Sequence, residues 1–149
     1  MIKRPAKDED KDFLYLLNEA VYRPLVEKIN GEWDDNFQRE YFDQKRERSA
    51  YQIIEKEEIK VGTFWMEYGP DQHTLNEIQI LPEFQNNGIG TDLIKAEIML
   101  AKMADVPIRL RLLQSNPAQS LYKRLGFKTY GEVGNYLYME MGAQQYNQR

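Results

Sequence analysis

Apolar residues along the chain switch between a helical and an alternating repeat. Residues 2–5, IKRP, are short enough for an edge strand. The run AKDEDKDFLYLLNEAV then sets Phe13, Leu14, Leu16, Leu17, Ala20 and Val21 at helical spacing. Its acids Asp8, Glu9, Asp10 and Asp12 fall where a first helical turn favours negative charge. YRPLVEKINGEW breaks the pattern, with Pro24 and Gly31 as punctuation. DDNFQREYFDQKRERS reads as a polar helix with a narrow apolar face of Phe37, Tyr41 and Phe42.

AYQIIEK and KVGTFWMEYG read as two strands, joined through EEI closely enough for a hairpin. PDQHT is a turn. LNEIQIL alternates, Leu75, Glu77 and Gln79 against Asn76, Ile78 and Ile80, with neither face wholly apolar, and Pro82 ends it. GTDLIKAEIMLAKMAD is the strongest helix, apolar over Leu93, Ala96, Ile98, Leu100, Ala101 and Ala104. VPIRLRLL is a strand with Ile108, Leu110 and Leu112 alternating. NPAQSLYKRLGF reads as a helix with Asn116 as N-cap, Pro117 at its first position and Gly126 at its end. KTYGEV and NYLYMEM are strands around a Gly134-Asn135 turn, and a polar, loose tail follows from about 142 to 149.

The resulting order, β-α-α-β-β-β-α-β-α-β-β, is an α/β (α+β) sandwich. Helices, about four of them, cover a mixed, largely antiparallel sheet of six to seven strands. Residues 75 to 113 form a natural parallel strand–helix–strand unit. At 149 residues the chain suits a single domain, 1–149, and 42% hydrophobic content allows a real core.

Composition narrows the chemistry. There is no cysteine, which removes disulfides, thiolate metal sites and a cysteine nucleophile, and suits a cytoplasmic location. A net charge of −4 argues against nucleic-acid binding. No run approaches the roughly 18 apolar residues of a membrane span, and MIKRPAKDEDKD is too charged for a signal peptide. His73 is the single histidine, so no site can need two, and no metal is expected.

The stretch LPEFQNNGIGTDLI carries the remaining chemistry. A strand stops at Pro82 and a helix starts near Gly88 to Gly90, so the amides of Asn87 to Thr91 include the unpaired N–H groups of a helix start. With the helix dipole they form an anion site, which glycines let a phosphate approach closely. No lysine follows Gly90, so this is not a P-loop, and only Gly88 and Gly90 are present, so it is not G-x-G-x-x-G. Alone, Asn87-Gly88 reads more simply as a turn.

Its neighbours change that weighing. Gln85-x-x-Gly88-x-Gly90, between EIQILPEF and an apolar helix, resembles motif A of the GNAT superfamily of acetyl-CoA-dependent N-acetyltransferases. NPAQSLYKRLGF resembles that family's motif B, and IKRPAKDEDKDFLYLL its opening strand and helix. Residues 22 to 50 match no motif. The resemblance implies a sheet splayed in its middle with acetyl-CoA lying in the opening. It implies that the loop from Gln85 through Asn86, Asn87, Gly88, Ile89 and Gly90 to Thr91 holds the pyrophosphate. The backbone of Ile78, Ile80 and Leu81 would pair with the pantetheine arm. Asn116 would bond that arm or the acetyl end, and Tyr122 would stand near the sulfur. Many members carry Arg or Lys where this chain has Asn86 and Asn87. Lys95, Lys123 and Arg124 are candidates to supply the missing charge.

The implied reaction is direct attack of a primary amine, of a small molecule or peptide, on acetyl-CoA within a ternary complex. Tyr122 is the candidate general acid for the thiolate; the plain alternative is inner-face packing. Glu77 is the candidate general base, directly or through water; its alternative is a solvated strand residue. His73 has suitable chemistry but sits in an expected surface turn. Tyr22, Trp33 and Phe37, with Tyr41, are candidates for an acceptor pocket, where Glu27, Glu32, Asp34 and Asp35 would suit a cationic amine. The alternative there is an amphipathic helix with a solvated acidic face. A homodimer is compatible with the family. Two rival readings stay open: a catalytically weak or inactive acyl-CoA sensor of the same fold, and a nucleotide-phosphate binder that would prefer ATP.

Overall fold

The computed structural model describes residues 1–47 and 50–142, so the expected polar tail lies outside the described residues beyond Gly142. The elements are β1 (Ile2–Pro5), α1 (Lys11–Asn30), α2 (Asp35–Glu47), β2 (Gln52–Lys56), β3 (Ile59–Tyr68), β4 (His73–Ile80), α3 (Ile89–Ala104), β5 (Ile108–Leu113), α4 (Gln119–Leu125), β6 (Lys128–Val133) and β7 (Tyr136–Met141). This is the expected order. The strands form a seven-stranded mixed sheet ordered β1-β2-β3-β4-β5-β7-β6. β4 and β5 pair in parallel from His73–Ile108 to Leu75–Leu110. Both strands continue past that pairing, β4 to Ile80 and β5 to Leu113.

Two compact units divide the chain: Met1–Trp65 with Glu77–Asn87, and Met66–Asn76 with the chain from Gly88 onward. The boundary runs through the middle of β4. In the first unit β1, β2 and β3 are antiparallel neighbours. β2 turns into β3 over Glu57 and Glu58, both in the left-handed region (φ 53° and 67°). This two-residue turn matches the twist of the strands without a glycine. Leu14, Tyr15, Phe42, Tyr51 and Ile53 pack into a core under the sheet.

Three expectations for this unit are corrected. α1 does not break at Pro24 but runs through it to Asn30. Pro24 is exposed, so its ring faces solvent, while Leu14, Leu17 and Leu25 hold the helix down on either side. Gly31 stops it in the left-handed conformation, its N–H on the Glu27 carbonyl at 2.9 Å. Of the three residues expected on the apolar face of α2, Phe42 is core, whereas Phe37 and Tyr41 are exposed and stack on each other at 6.3 Å. The acids do not all serve a helix dipole. Asp8–Asp10 wind a separate 3₁₀ turn, and Asp10 is buried. Asp10 takes Arg4 through two bonds of 2.8 and 3.0 Å, Lys60 at 2.6 Å and the Lys7 N–H at 2.8 Å. Arg4, then Lys60 and the Lys7 N–H, outweigh burial and hold the Asp10 carboxyl well below the usual carboxylate range.

In the second unit β5 pairs with β7 over six positions, and β7 with β6 through a bulge near Thr129 and Gly131. Leu93, Ile94, Ile108, Leu110, Leu112, Tyr122, Phe127, Leu137 and Met139 are buried. The inner face of α3 is Ile89, Leu93, Ile94, Glu97 and Ala101, rotated from the expected one; Met99, Leu100 and Met103 are exposed. Glu97 can occupy that face because the Tyr68 hydroxyl donates to its carboxylate. His73 is likewise not in a surface turn. The turn closes earlier, with the Gly69 N–H on the Gln72 carbonyl, and His73 is the buried first residue of β4, edge-on to Tyr68 at 4.9 Å.

Candidate active site

The loop from β4 to α3 is built from backbone geometry. The Leu81 N–H bonds the Val61 carbonyl at 2.9 Å, and the Leu81 carbonyl accepts the Phe84 N–H at 2.8 Å, closing a 3₁₀ turn at Pro82–Phe84. Gln85 turns its side-chain amide back to the Ile80 carbonyl, 2.9 Å away. Asn86 is left-handed (φ 66°), a conformation asparagine tolerates better than most residues. Gly88 is left-handed too (φ 83°) and is the N-cap of α3, with no side chain capping the helix. The first helical bond runs from the Asp92 N–H to the Gly88 carbonyl. The N–H groups of Ile89, Gly90 and Thr91 therefore lie ahead of the helical ladder.

A Cβ placed on Gly88 or Gly90 would meet nothing within 4 Å. Neither glycine is demanded by protein packing; Gly88 is demanded by its φ, and Gly90 leaves the backbone open. Uncapped amides, a positive dipole end and an open approach can hold an anion. Asn86, Asn87 and Gly88 are exposed, whereas Ile89 is buried and pins the helix start. Lys95, Lys123 and Arg124 are all solvent-exposed.

β4 alternates strictly, with His73, Leu75, Glu77 and Gln79 buried and Ile78 and Ile80 half-buried. Glu77 is thus a buried strand residue, 5% exposed, and not the solvated one considered as its alternative. Gln79 Nε2 donates to Glu77 Oε1 at 2.7 Å and to Asn18 Oδ1 on α1 at 3.3 Å. β3 lies against this half of β4 at Gly62, where any Cβ would collide with the Gln79 carbonyl. Tyr51, just before β2, is buried beside this group; burial, then the charge of Glu77, pushes its hydroxyl above the ordinary tyrosine value. Sequence reading missed Asn18, Gln79 and Tyr51. The signal for Gln79 was present, since it shares a strand face with Glu77 two residues away.

Asn116 caps the start of the motif-B segment. Its Oδ1 accepts the Ala118 N–H at 2.9 Å, and its carbonyl accepts Gln119. The regular helix begins at Gln119, later than expected, because Asn116-Pro117-Ala118 form the capping turn. Tyr122 is buried and meets Phe127 edge-on at 5.6 Å. Gly126 then closes α4 at φ 108°, a conformation that favours glycine.

The acceptor candidates separate by exposure. Trp33 is buried and donates its indole N–H to Asp35 Oδ1 at 3.1 Å. Tyr22 on α1 is half-buried, and Phe37 is 63% exposed. Asp34 caps α2, accepting the Phe37 N–H at 2.9 Å. Glu27, Glu32, Asp34 and Asp35 are all exposed.

The profile described as an acetyltransferase (GNAT) domain matches residues 47–129, more than half of this chain. The chain belongs to the GNAT family. One curated relative, 28% identical over 120 residues and covered to 78% on both sides, is named as a putative ribosomal protein bS18-alanine N-acetyltransferase of Bacillus subtilis (strain 168). Among solved GNAT structures, the PaiA N-acetyltransferase of Thermoplasma acidophilum in complex with coenzyme A superposes with a TM-score of 0.70. It is 18% identical and covers 95% of this chain and 99% of its own. An aminoglycoside 6′-N-acetyltransferase complexed with coenzyme A gives a TM-score of 0.63 at 16% identity, covering 95% and 96%. At these identities the superpositions speak for the GNAT fold. The profile begins at residue 47, so α1 and nearly all of α2 lie outside the matched GNAT segment.

Proposed function

We propose that residues 1–149 form a single acetyltransferase domain that moves an acetyl group from acetyl-CoA to a primary amine of a small molecule or peptide. The observation that carries this reading is the start of α3. Its amides are uncapped, its left-handed Gly88 fixes the turn, and nothing stands before a Cβ at Gly90. A pyrophosphate fits these donors.

Acetyl-CoA, when bound, supplies an activated thioester carbonyl. The amides of Asn87 to Thr91 hold the diphosphate, with Asn86 and Gln85 shaping the approach. Strand-like pairing with the pantetheine arm falls to Ile78 and Ile80, since the Leu81 N–H is taken by the Val61 carbonyl. Gln85 shares the Ile80 carbonyl, which has a second lone pair. Asn116 orients the acetyl end. Glu77 removes the amine proton, directly or through water, and Tyr122 protonates the departing thiolate. Exposed Phe37, buried Trp33 and Tyr22 on α1 contribute the acceptor wall. The absence of cysteine suits direct attack and a reducing, cytoplasmic setting.

Asn86 and Asn87, in place of loop cations, favour a second reading: a catalytically weak acyl-CoA-binding module. A thermal-shift series tests the binding that both readings need. Acetyl-CoA raises the melting temperature in a concentration-dependent way, and ATP does not. An equal shift with ATP contradicts them. A further shift when an amine is added to the acetyl-CoA complex supports the acetyltransferase.

A further inference from the structure

We infer that Gln79 and Asn18 are positioning residues that hold the Glu77 carboxylate for proton removal. This rests on the acetyl-transfer reading, in which Glu77 is the base.

The geometry is a chain of two hydrogen bonds that ties a strand carboxylate to a helix. Gln79 and Glu77 lie two residues apart on one face of β4, so their side chains are neighbours. Both are nearly sealed from solvent, Glu77 at 5% and Gln79 at 3% exposure. The Gln79 amide gives one N–H to Glu77 Oε1 at 2.7 Å and one to Asn18 Oδ1 at 3.3 Å. Both of its protons are thereby committed, and its rotamer is set from two directions. Asn18 stands on α1, anchored by buried Leu14 a turn before it and by its buried neighbour Leu17. The collision awaiting any Cβ at Gly62 fixes the strand beneath.

The Gln79 N–H orients the Glu77 carboxylate as a neutral donor. Nearby, the Tyr51 hydroxyl is buried with no hydrogen-bond partner among the described residues. A buried unmatched hydroxyl is what an ordered water satisfies. A water held there would pass the amine proton to Glu77, leaving neutral amine to attack the thioester.

The test is a double-mutant cycle on turnover, read as release of coenzyme A thiol from acetyl-CoA with the best amine of a panel. Gln79→Met should lower kcat about tenfold while the KM for acetyl-CoA stays within about twofold, since the base is misplaced and the cofactor site untouched. Asn18→Ala should lower kcat about threefold in the same way. In a Glu77→Gln background neither change should cost anything further, because both act through Glu77. The melting temperature of each variant reports folding, and if Gln79→Met fails to fold, Asn18→Ala carries the cycle alone. Full kcat in the folded variants, a wild-type rate for Glu77→Gln, or the same loss with and without Glu77 overturns the inference while acetyl transfer stands. A wild-type protein that releases no thiol with any amine overturns the acetyl-transfer reading itself.

Discussion

The side-chain amide of Gln79 donates to the carboxylate of Glu77 across 2.7 Å, inside the protein and on one face of β4. A strand that ends in two buried polar residues is costly to fold unless they pair with each other or do chemistry. Glu77→Gln keeps the shape and a hydrogen-bonding partner, so it should leave melting nearly unchanged. It should lower kcat by about 10²-fold, the scale of a lost general base. Steady-state kinetics with saturating acetyl-CoA measures this, and an unaltered kcat assigns Glu77 to structure.

Tyr122 is packed edge-on against Phe127, and that packing survives in Tyr122→Phe. The prediction separates two quantities. Stability should be close to wild type, while turnover should fall by about 10- to 100-fold, as expected when a general acid is removed. Equal turnover in the two proteins would leave Tyr122 with a packing role.

The loop makes a prediction in both directions. Asn87→Arg adds a cation at the exposed entry to α3 and should tighten acetyl-CoA binding by roughly tenfold, about the contribution of one charge-assisted contact. Gly88→Val forces a branched side chain into φ 83° and should weaken binding, at a stability cost of about 1–2 kcal/mol. Calorimetric titration of both variants checks this. If Asn87→Arg binds acetyl-CoA no better than wild type, the loop is a turn and not a cradle.

Asp10 predicts how stability depends on pH. Its carboxyl is held below the ordinary aspartate value of 3.8, first by Arg4 and then against burial by Lys60 and the Lys7 N–H. A depressed folded value gives stability that is complete above the unfolded value and lost as pH falls through the folded one. Asp10→Asn should cost about 2 kcal/mol at neutral pH; Arg4 and Lys60 are partly exposed, which trims the larger penalty of a sealed pair. The gap between wild type and variant should hold steady down to about pH 5 and close as the pH drops toward 2. Chemical denaturation at several pH values measures it, and a gap that widens on acidification contradicts the assignment.

The order of elements was legible because alternation and helical spacing are strong in this chain, and because Pro82, Gly31, Gly126 and Gly134 punctuate it where the backbone needs them. Pro24 misled, since its cost to the helical ladder is offset by the burial of Leu14, Leu17 and Leu25 on either side of it. Helix faces were less legible. Glu97 and Glu77 look like surface residues until Tyr68 and Gln79 are seen to satisfy them, and such partners lie 29 and two positions away along the chain. His73 was assigned to a turn because PDQHT is rich in turn formers, yet Gly69 closes that turn earlier. Gly62 gave no signal at all, because its requirement is the backbone of β4 and not its own φ. Of the candidate site, the start of α3 could be read in advance from Asn87, Gly88 and Gly90. The Asn18–Gln79–Glu77 chain could not, because it joins α1 to a strand 61 positions later.

The central claim is acetyl transfer to an amine. Its most direct measurement is the continuous release of coenzyme A thiol from acetyl-CoA by the wild-type protein across a panel of polyamines, amino acids, aminoglycosides and peptides. The account predicts release that depends on both protein and amine, saturates in acetyl-CoA, and is accompanied by the N-acetylated amine in the mass spectrum. Tight acetyl-CoA binding with no amine-dependent thiol release and no acetylated product would contradict it.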